Sequence, residues 1–189
     1  ASLTDIFIER VKENFDWTID KDWIVWIPGG VVGLNIACKT VLAPGEIAMV
    51  PSPVYPPFTE APENMERGFV KTHLNDYKGR LEFDMEAVKT LLTDDCKLFF
   101  LCNPQNPGGT VFNKEELNEI AEICKEKNII VCSDEIHADL ILEEGLEHIP
   151  FASLNKYSEE NSITIMGPCK TFNLAGFPIA AEIIPTHAL

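Results

Sequence analysis

Ser162-Ile163-Thr164-Ile165-Met166-Gly167-Pro168-Cys169-Lys170-Thr171-Phe172-Asn173-Leu174-Ala175-Gly176 is the stretch on which the fold turns. Its first five residues form an apolar, β-branched run of the kind that makes a buried strand. Gly167 and Pro168 end that run, so Lys170 is expected just past a strand end, on a tight turn. In α/β proteins ligands bind in the crevice outside the carboxyl ends of the strands. A lysine that is desolvated there gives up its proton and becomes an amine nucleophile for a carbonyl. Alone, Lys170 also reads as a solvated surface lysine. The choice between these depends on what stands upstream.

Strand and helix patterns alternate before it. A helical period covers Leu3 to Phe15, and Trp23 to Ile27 reads as a short strand. Pro28-Gly29-Gly30 breaks that strand. The next helix carries Leu34, Ala37, Cys38, Val41 and Leu42 on one face and ends at Pro44-Gly45. Ile47 to Val50 is a strand, a proline-rich loop opens a helix that runs to about Met65, and Gly68 to Leu74 returns as a strand. Asn75 to Arg80 reads as a turn, and Asp84 as the N-cap of a helix with Met85, Val88, Leu91 and Leu92. Lys97 to Leu101 is a buried strand. Asn113 and Glu116 form a capping-box pattern ahead of Leu117, Ile120, Ala121 and Cys124. Ile129 to Cys132 is a strand, a mostly polar connection reaches Ile163, and Ala180 to Ile184 is a last strand. Right-handed crossovers turn this order into an α/β fold: a mostly parallel sheet with helices on both faces.

At 189 residues the chain suits one sizeable domain. Fifteen basic against thirty acidic residues, a net charge of −15, argue against a nucleic-acid or anionic-membrane surface. No apolar run is long enough for a membrane span, and Ala1 to Asp5 lacks the regions of a signal peptide. The six cysteines contain no C-x-x-C pair and read as reduced, buried thiols, which points to the cytoplasm. No metal ligand set is expected. The chain stops at Pro185 to Leu189, directly after a strand that no helix covers, so a longer natural polypeptide is expected.

Four loops follow four of these strands, and a parallel sheet brings them to one edge. Gly29, Gly30 and Val31 open a helix, where glycines admit an anion to free N–H groups at the positive dipole end. Tyr55, held between prolines, presents a ring that can stack on a flat ligand. Asn106, in Asn103-Pro104-Gln105-Asn106-Pro107-Gly108-Gly109, offers a rigid amide donor. Asp134, in Ser133-Asp134-Glu135-Ile136-His137, is a carboxylate at the end of an apolar strand. Such a group is not expected to be buried without a cation.

With Lys170, these residues resemble the fold-type I pyridoxal-phosphate enzymes, the class I/II aminotransferase superfamily. Asn103 to Gly109, Ser133 to Leu140, His148 to Leu154 and Lys170 to Gly176 look most like the cystathionine β-lyase, or C–S lyase, subgroup. The resemblance covers nearly the whole chain. It implies that pyridoxal 5′-phosphate is the cofactor and that Lys170 holds its aldehyde as an aldimine. Asp134 would pair with the protonated ring nitrogen, Asn106 would donate to the 3-oxygen, and Tyr55 would stack on the ring. Gly29, Gly30 and Val31 would cup the phosphate, and His137 stands where many relatives carry a tyrosine near the 3-oxygen. Lys170 and Asp134 are the catalytic candidates.

The resemblance also implies that residues 1–189 are an incomplete large domain of a homodimeric parent acting on an amino acid. An N-terminal segment and a C-terminal small domain, with its carboxylate-binding arginine, would lie outside this chain. Cys169 replaces the subgroup's serine and Gly108 a common threonine, and no basic phosphate ligand is evident in Phe177-Pro178-Ile179. Three readings follow: a carbon–sulfur β-lyase that yields a thiol, pyruvate and ammonia, an aminotransferase on the same scaffold, or a non-catalytic cofactor-binding or structural module.

Overall fold

The computed structural model describes residues 1–185. Eight strands form one mixed sheet in the order β1-β8-β7-β6-β5-β2-β3-β4. The strands are β1 (Ile24–Ile27), β2 (Ile47–Ser52), β3 (Gly68–Tyr77), β4 (Arg80–Phe83), β5 (Cys96–Cys102), β6 (Ile130–Asp134), β7 (Ser162–Met166) and β8 (Ala180–Ile183). The central pairings β3–β2, β2–β5, β5–β6 and β6–β7 are all parallel. The expected mostly parallel sheet is therefore present. β8 runs antiparallel to both β7 and β1. Two reversals cancel, so β1 points the same way as β7, and the loop after β1 opens on the same edge as those after β5, β6 and β7.

The helices are α1 (Leu3–Phe15), α2 (Gly30–Val41), α3 (Pro57–Asn64), α4 (Met85–Leu91), α5 (Lys114–Lys127), α6 (Lys156–Glu160) and α7 (Pro168–Thr171). Strand alternation decides which layer each side chain joins. Ala48, Val50, Leu98, Phe100, Cys132 and Ile165 pack with Leu34, Ala37 and Phe58 of α2 and α3. Met49, Phe99, Leu101 and Val131 face the other way, onto Val88 of α4 and Leu117, Ile120 and Cys124 of α5. A third cluster packs Val11 of α1 against Trp17, Met166 and Ile183. The caps are those the sequence encodes. Asp84 Oδ1 accepts from Ala87 N at 3.0 Å, and Asn113 and Glu116 exchange both capping-box bonds.

Two elements differ from the expected pattern. Asn75 to Arg80 is not all turn: β3 continues to Tyr77, only Lys78 and Gly79 turn, and β4 follows. Both turn residues have positive φ, 55° and 87°, which suits a tight hairpin. The polar stretch before Ile163 contains α6, with Asn155 accepting from Ser158 N at 3.0 Å. The expectation of a continuing chain rests partly on Thr186 to Leu189, which lie outside the described residues.

Candidate active site

A cleft of about 370 Å³ lies where the loops after β1, β2, β5, β6 and β7 meet. Its walls include Gly29, Gly30 and Val31, then Tyr55 and Asn106, then Asp134 and His137, and finally Lys170. All eight residues singled out in the sequence are thus on one cleft, although more than one hundred residues separate Gly29 from Lys170.

The anion end is built by α2. Gly29 is its N-cap at φ 102°, a conformation that favours glycine. The Gly29 N–H is already committed to the Ile27 carbonyl at 2.9 Å. The cup of three donors therefore narrows to the Gly30 and Val31 N–H groups, which have no backbone acceptor among the described residues. A Cβ on Gly30 would point 4.0 Å from Asp134 Oδ2, so the helix start and the carboxylate share the same space.

Asp134 ends β6 and is buried. Its Oδ1 accepts from Ile136 N at 3.1 Å. No cation lies within ion-pair distance of it among the described residues. The expected cationic partner is absent from the protein side chains, and burial pushes the carboxyl up to about 6. The Ile136 N–H opposes that rise, neighbouring Glu135 adds to it, and more distant Lys170 opposes it. A carboxylate placed this way would be stabilised by a cation entering the cleft.

Lys170 lies on the one-turn helix α7, started by Pro168 and closed where Phe172 N meets Pro168 O at 2.9 Å. Its side chain is exposed. Of the two sequence readings, a desolvated amine or a solvated lysine, the described residues leave Lys170 solvated at the edge of the cleft. His137 is half-buried, and its imidazole is held below the usual histidine range by burial and then by the charge of Lys170. The Asn106 backbone is fixed three times: Tyr55 N and Gln105 Nε2 donate to its carbonyl at 3.1 and 3.3 Å, and its N–H points to Cys102 Sγ at 3.4 Å. This ties the Tyr55 and Asn106 loops together. Burial pushes the Cys102 thiol well up, which argues against it as a competing nucleophile.

Other polar residues at this edge carried no assigned role in the sequence. Glu135 Oε2 lies 2.7 Å from His148 Nε2, and Glu135 Oε1 accepts from Ser133 Oγ at 2.8 Å and Phe151 N at 2.9 Å. Asp139 joins Thr171 to α1. Both acids lie within the motif after β6, but only the fold brings their partners to them.

An α/β sheet with a glycine-started helix, a buried carboxylate and a lysine on one edge defines a cofactor-binding enzyme class. The chain belongs to the aminotransferase class I and II family, whose model matches residues 7–188. It is 39% identical over 176 residues to cystathionine beta-lyase PatB of Bacillus subtilis (strain 168), covering 93% of this chain and 45% of PatB. It is 32% identical to the putative aminotransferase YugH of the same organism, covering 98% of this chain and 47% of YugH. Cystalysin from Treponema denticola, whose crystal structure contains pyridoxal 5′-phosphate, superposes with a TM-score of 0.94 at 32% identity, covering 98% of this chain and 47% of that one. The chain spans about half the length of the curated relatives it matches.

Proposed function

We propose that this chain is the cofactor-binding large domain of a pyridoxal-phosphate-dependent carbon–sulfur β-lyase of the cystathionine β-lyase type. The reaction takes cystathionine or a cysteine S-conjugate, with water, to a thiol, pyruvate and ammonia. The observation that carries this reading is Asp134, a buried carboxylate facing the cleft that contains Lys170, with no cation at ion-pair distance among the described residues. The residues fit the cofactor: two free helix N–H groups for a phosphate, a carboxylate for a ring N–H⁺, and a primary amine for an aldehyde.

Bound pyridoxal phosphate supplies an electron sink next to the substrate amine. Asp134 would pair with the ring nitrogen and favour its protonated form. The Gly30 and Val31 N–H groups would hold the phosphate at the α2 dipole. Tyr55 would stack on the ring, and Asn106 would donate its side-chain amide to the 3-oxygen, with His137 nearby on the same cleft. Lys170 Nζ would hold the aldehyde carbon. Its amine would also serve as the base for the proton on the substrate Cα. Expulsion of the thiolate from Cβ distinguishes the lyase.

The family model and YugH favour a second reading, an aminotransferase, in which Lys170 Nζ would relay the proton without loss of a thiolate. The proposed parent is a homodimer in the cytoplasm. The six free cysteines, five of them buried, support a reducing compartment. The test is to load the chain with pyridoxal phosphate and measure pyruvate and thiol release from cystathionine beside keto-acid-dependent amino transfer. Pyruvate without amino transfer supports the lyase, and amino transfer without pyruvate supports the second reading. Neither product from a chain labelled at Lys170 supports a non-catalytic module for residues 1–189 by themselves.

A further inference from the structure

The turn that carries Lys170 is held to itself by backbone bonds, Phe172 N to Pro168 O at 2.9 Å and Leu174 N to Cys169 O at 2.8 Å. Among the described residues, one side-chain hydrogen bond ties this turn to the rest of the protein. Thr171 Oγ1 donates to Asp139 Oδ2 at 2.8 Å. The other oxygen, Asp139 Oδ1, accepts from Arg10 Nη2 at 2.8 Å and Asn14 Nδ2 at 3.1 Å, both on α1. The Arg10 guanidinium also stands 5.3 Å from the centre of the Phe172 ring. The Asp139 side chain is only 17% exposed. A four-residue helix has too few internal bonds to fix its own orientation. Its direction must come from what it is tied to, and the tie sits on the residue next to Lys170.

We propose that Asp139 is a positioning residue for Lys170: its two oxygens clamp Thr171 to Arg10 and Asn14 and so hold the Lys170 amine toward the cleft. The inference rests on Lys170 being the cofactor lysine, but the clamp itself is measurable without cofactor. Thr171, Arg10 and Asn14 all donate to this one carboxyl group, and the bond from the Arg10 guanidinium belongs to the stronger, charge-assisted class. Asp139→Asn keeps the geometry, because the amide oxygen serves Arg10 and Asn14 while its N–H meets Thr171 Oγ1. Asp139→Ala and Thr171→Val remove the clamp, while Thr171→Ser keeps it.

The experiment compares amide exchange of the cofactor-free chain and its four variants over residues 169–173. The maximal rate of covalent capture of pyridoxal phosphate by Lys170 is measured against the concentration at half-maximal rate. Asp139→Ala and Thr171→Val are expected to speed exchange in this segment by roughly tenfold or more. They should lower the maximal capture rate and leave the half-saturation concentration in place, because phosphate binding at α2 is untouched. Asp139→Asn and Thr171→Ser restore both. If Asp139→Ala does not fold, Thr171→Val alone decides. Exchange and capture at the parent rates in the folded variants overturn the clamp. Faster exchange with no label on Lys170 in the parent chain keeps the clamp and removes the cofactor reading instead.

Discussion

Asp134 and Glu135 are consecutive carboxyl groups that leave the end of β6 on opposite sides of the sheet. Asp134 faces the cleft beneath the start of α2. Glu135 is enclosed with His148, each side chain 0% exposed, and their polar atoms are 2.7 Å apart. Strand alternation assigns one acid to the cleft and the other to the wall behind it. The position of Asp134 therefore depends on how firmly Glu135 is held.

Removing Glu135 strands buried groups. Glu135→Ala leaves Ser133 Oγ, the Phe151 N–H and His148 Nε2 without their acceptor. It should cost about 3–5 kcal/mol of stability. Glu135→Gln keeps an acceptor for two of the three donors and should cost clearly less. Urea unfolding of the two variants beside the parent checks the order. Equal losses would mean that burial, not the bonds, sets the effect.

Asp134 trades stability for function in this account. Its folded-state value is pushed up from 3.8 to about 6 by burial. The unfolded chain gives up this proton first, so stability falls as pH rises from about 4 to about 6 and levels off above. Asp134→Asn should stabilise the cofactor-free chain at pH 7.5 by roughly 1–3 kcal/mol. The same variant should lose most of the melting-temperature rise that pyridoxal phosphate gives the parent. Thermal unfolding with and without cofactor reads both effects.

Glu182, on β8, is a third buried acid, and its Oε1 has no hydrogen-bond partner among the described residues. Burial pushes it up from 4.5 to about 7. The sign is that of Asp134: stability is lost as pH rises from about 4.5 to about 7. Glu182→Gln should flatten that part of the pH profile and leave the cleft's cofactor binding intact. Unfolding free energy measured from pH 5 to pH 8 checks it. An unchanged slope would place the burden on other groups.

The glycines of α2 divide into two kinds. A Cβ on Gly33 would sit 2.8 Å from Ile27 Cδ1 and 2.9 Å from Ile165 Cδ1. Gly33→Ala should therefore destabilise by about 1–3 kcal/mol through overpacking, reduced by its better helix propensity. A Cβ on Gly30 meets Ile165 Cγ2 only at 3.6 Å, an ordinary contact. Gly30→Ala should leave stability within about 0.5 kcal/mol of the parent. Denaturation midpoints of the two variants give the comparison.

The alternating helices and strands were legible because their periods and caps are local properties, as at Asn113–Glu116 and Asp84. β4 was not, since Arg80-Leu81-Glu82-Phe83 is a short edge strand whose polar neighbours look like more turn. The pair Lys78-Gly79 was the available signal. The direction of β8 had no local sign at all, because four apolar-leaning residues pair either way. At the site, the residues that meet the cleft follow strand ends and could be singled out from position. Arg10 and Asn14 could not, since on the sequence they are polar residues on the outer face of α1. Only the fold brings them to Asp139 and Thr171.

The central claim is that Lys170 is the cofactor lysine, and covalent labelling tests it most directly. The chain is mixed with pyridoxal phosphate, its visible absorption is recorded, and the adduct is reduced with borohydride and mapped by mass. The account predicts one dominant label on Lys170, lost in Lys170→Ala and weakened in Asp134→Asn. Label scattered over exposed lysines such as Lys12, Lys89 and Lys156, or no visible absorption, would contradict it.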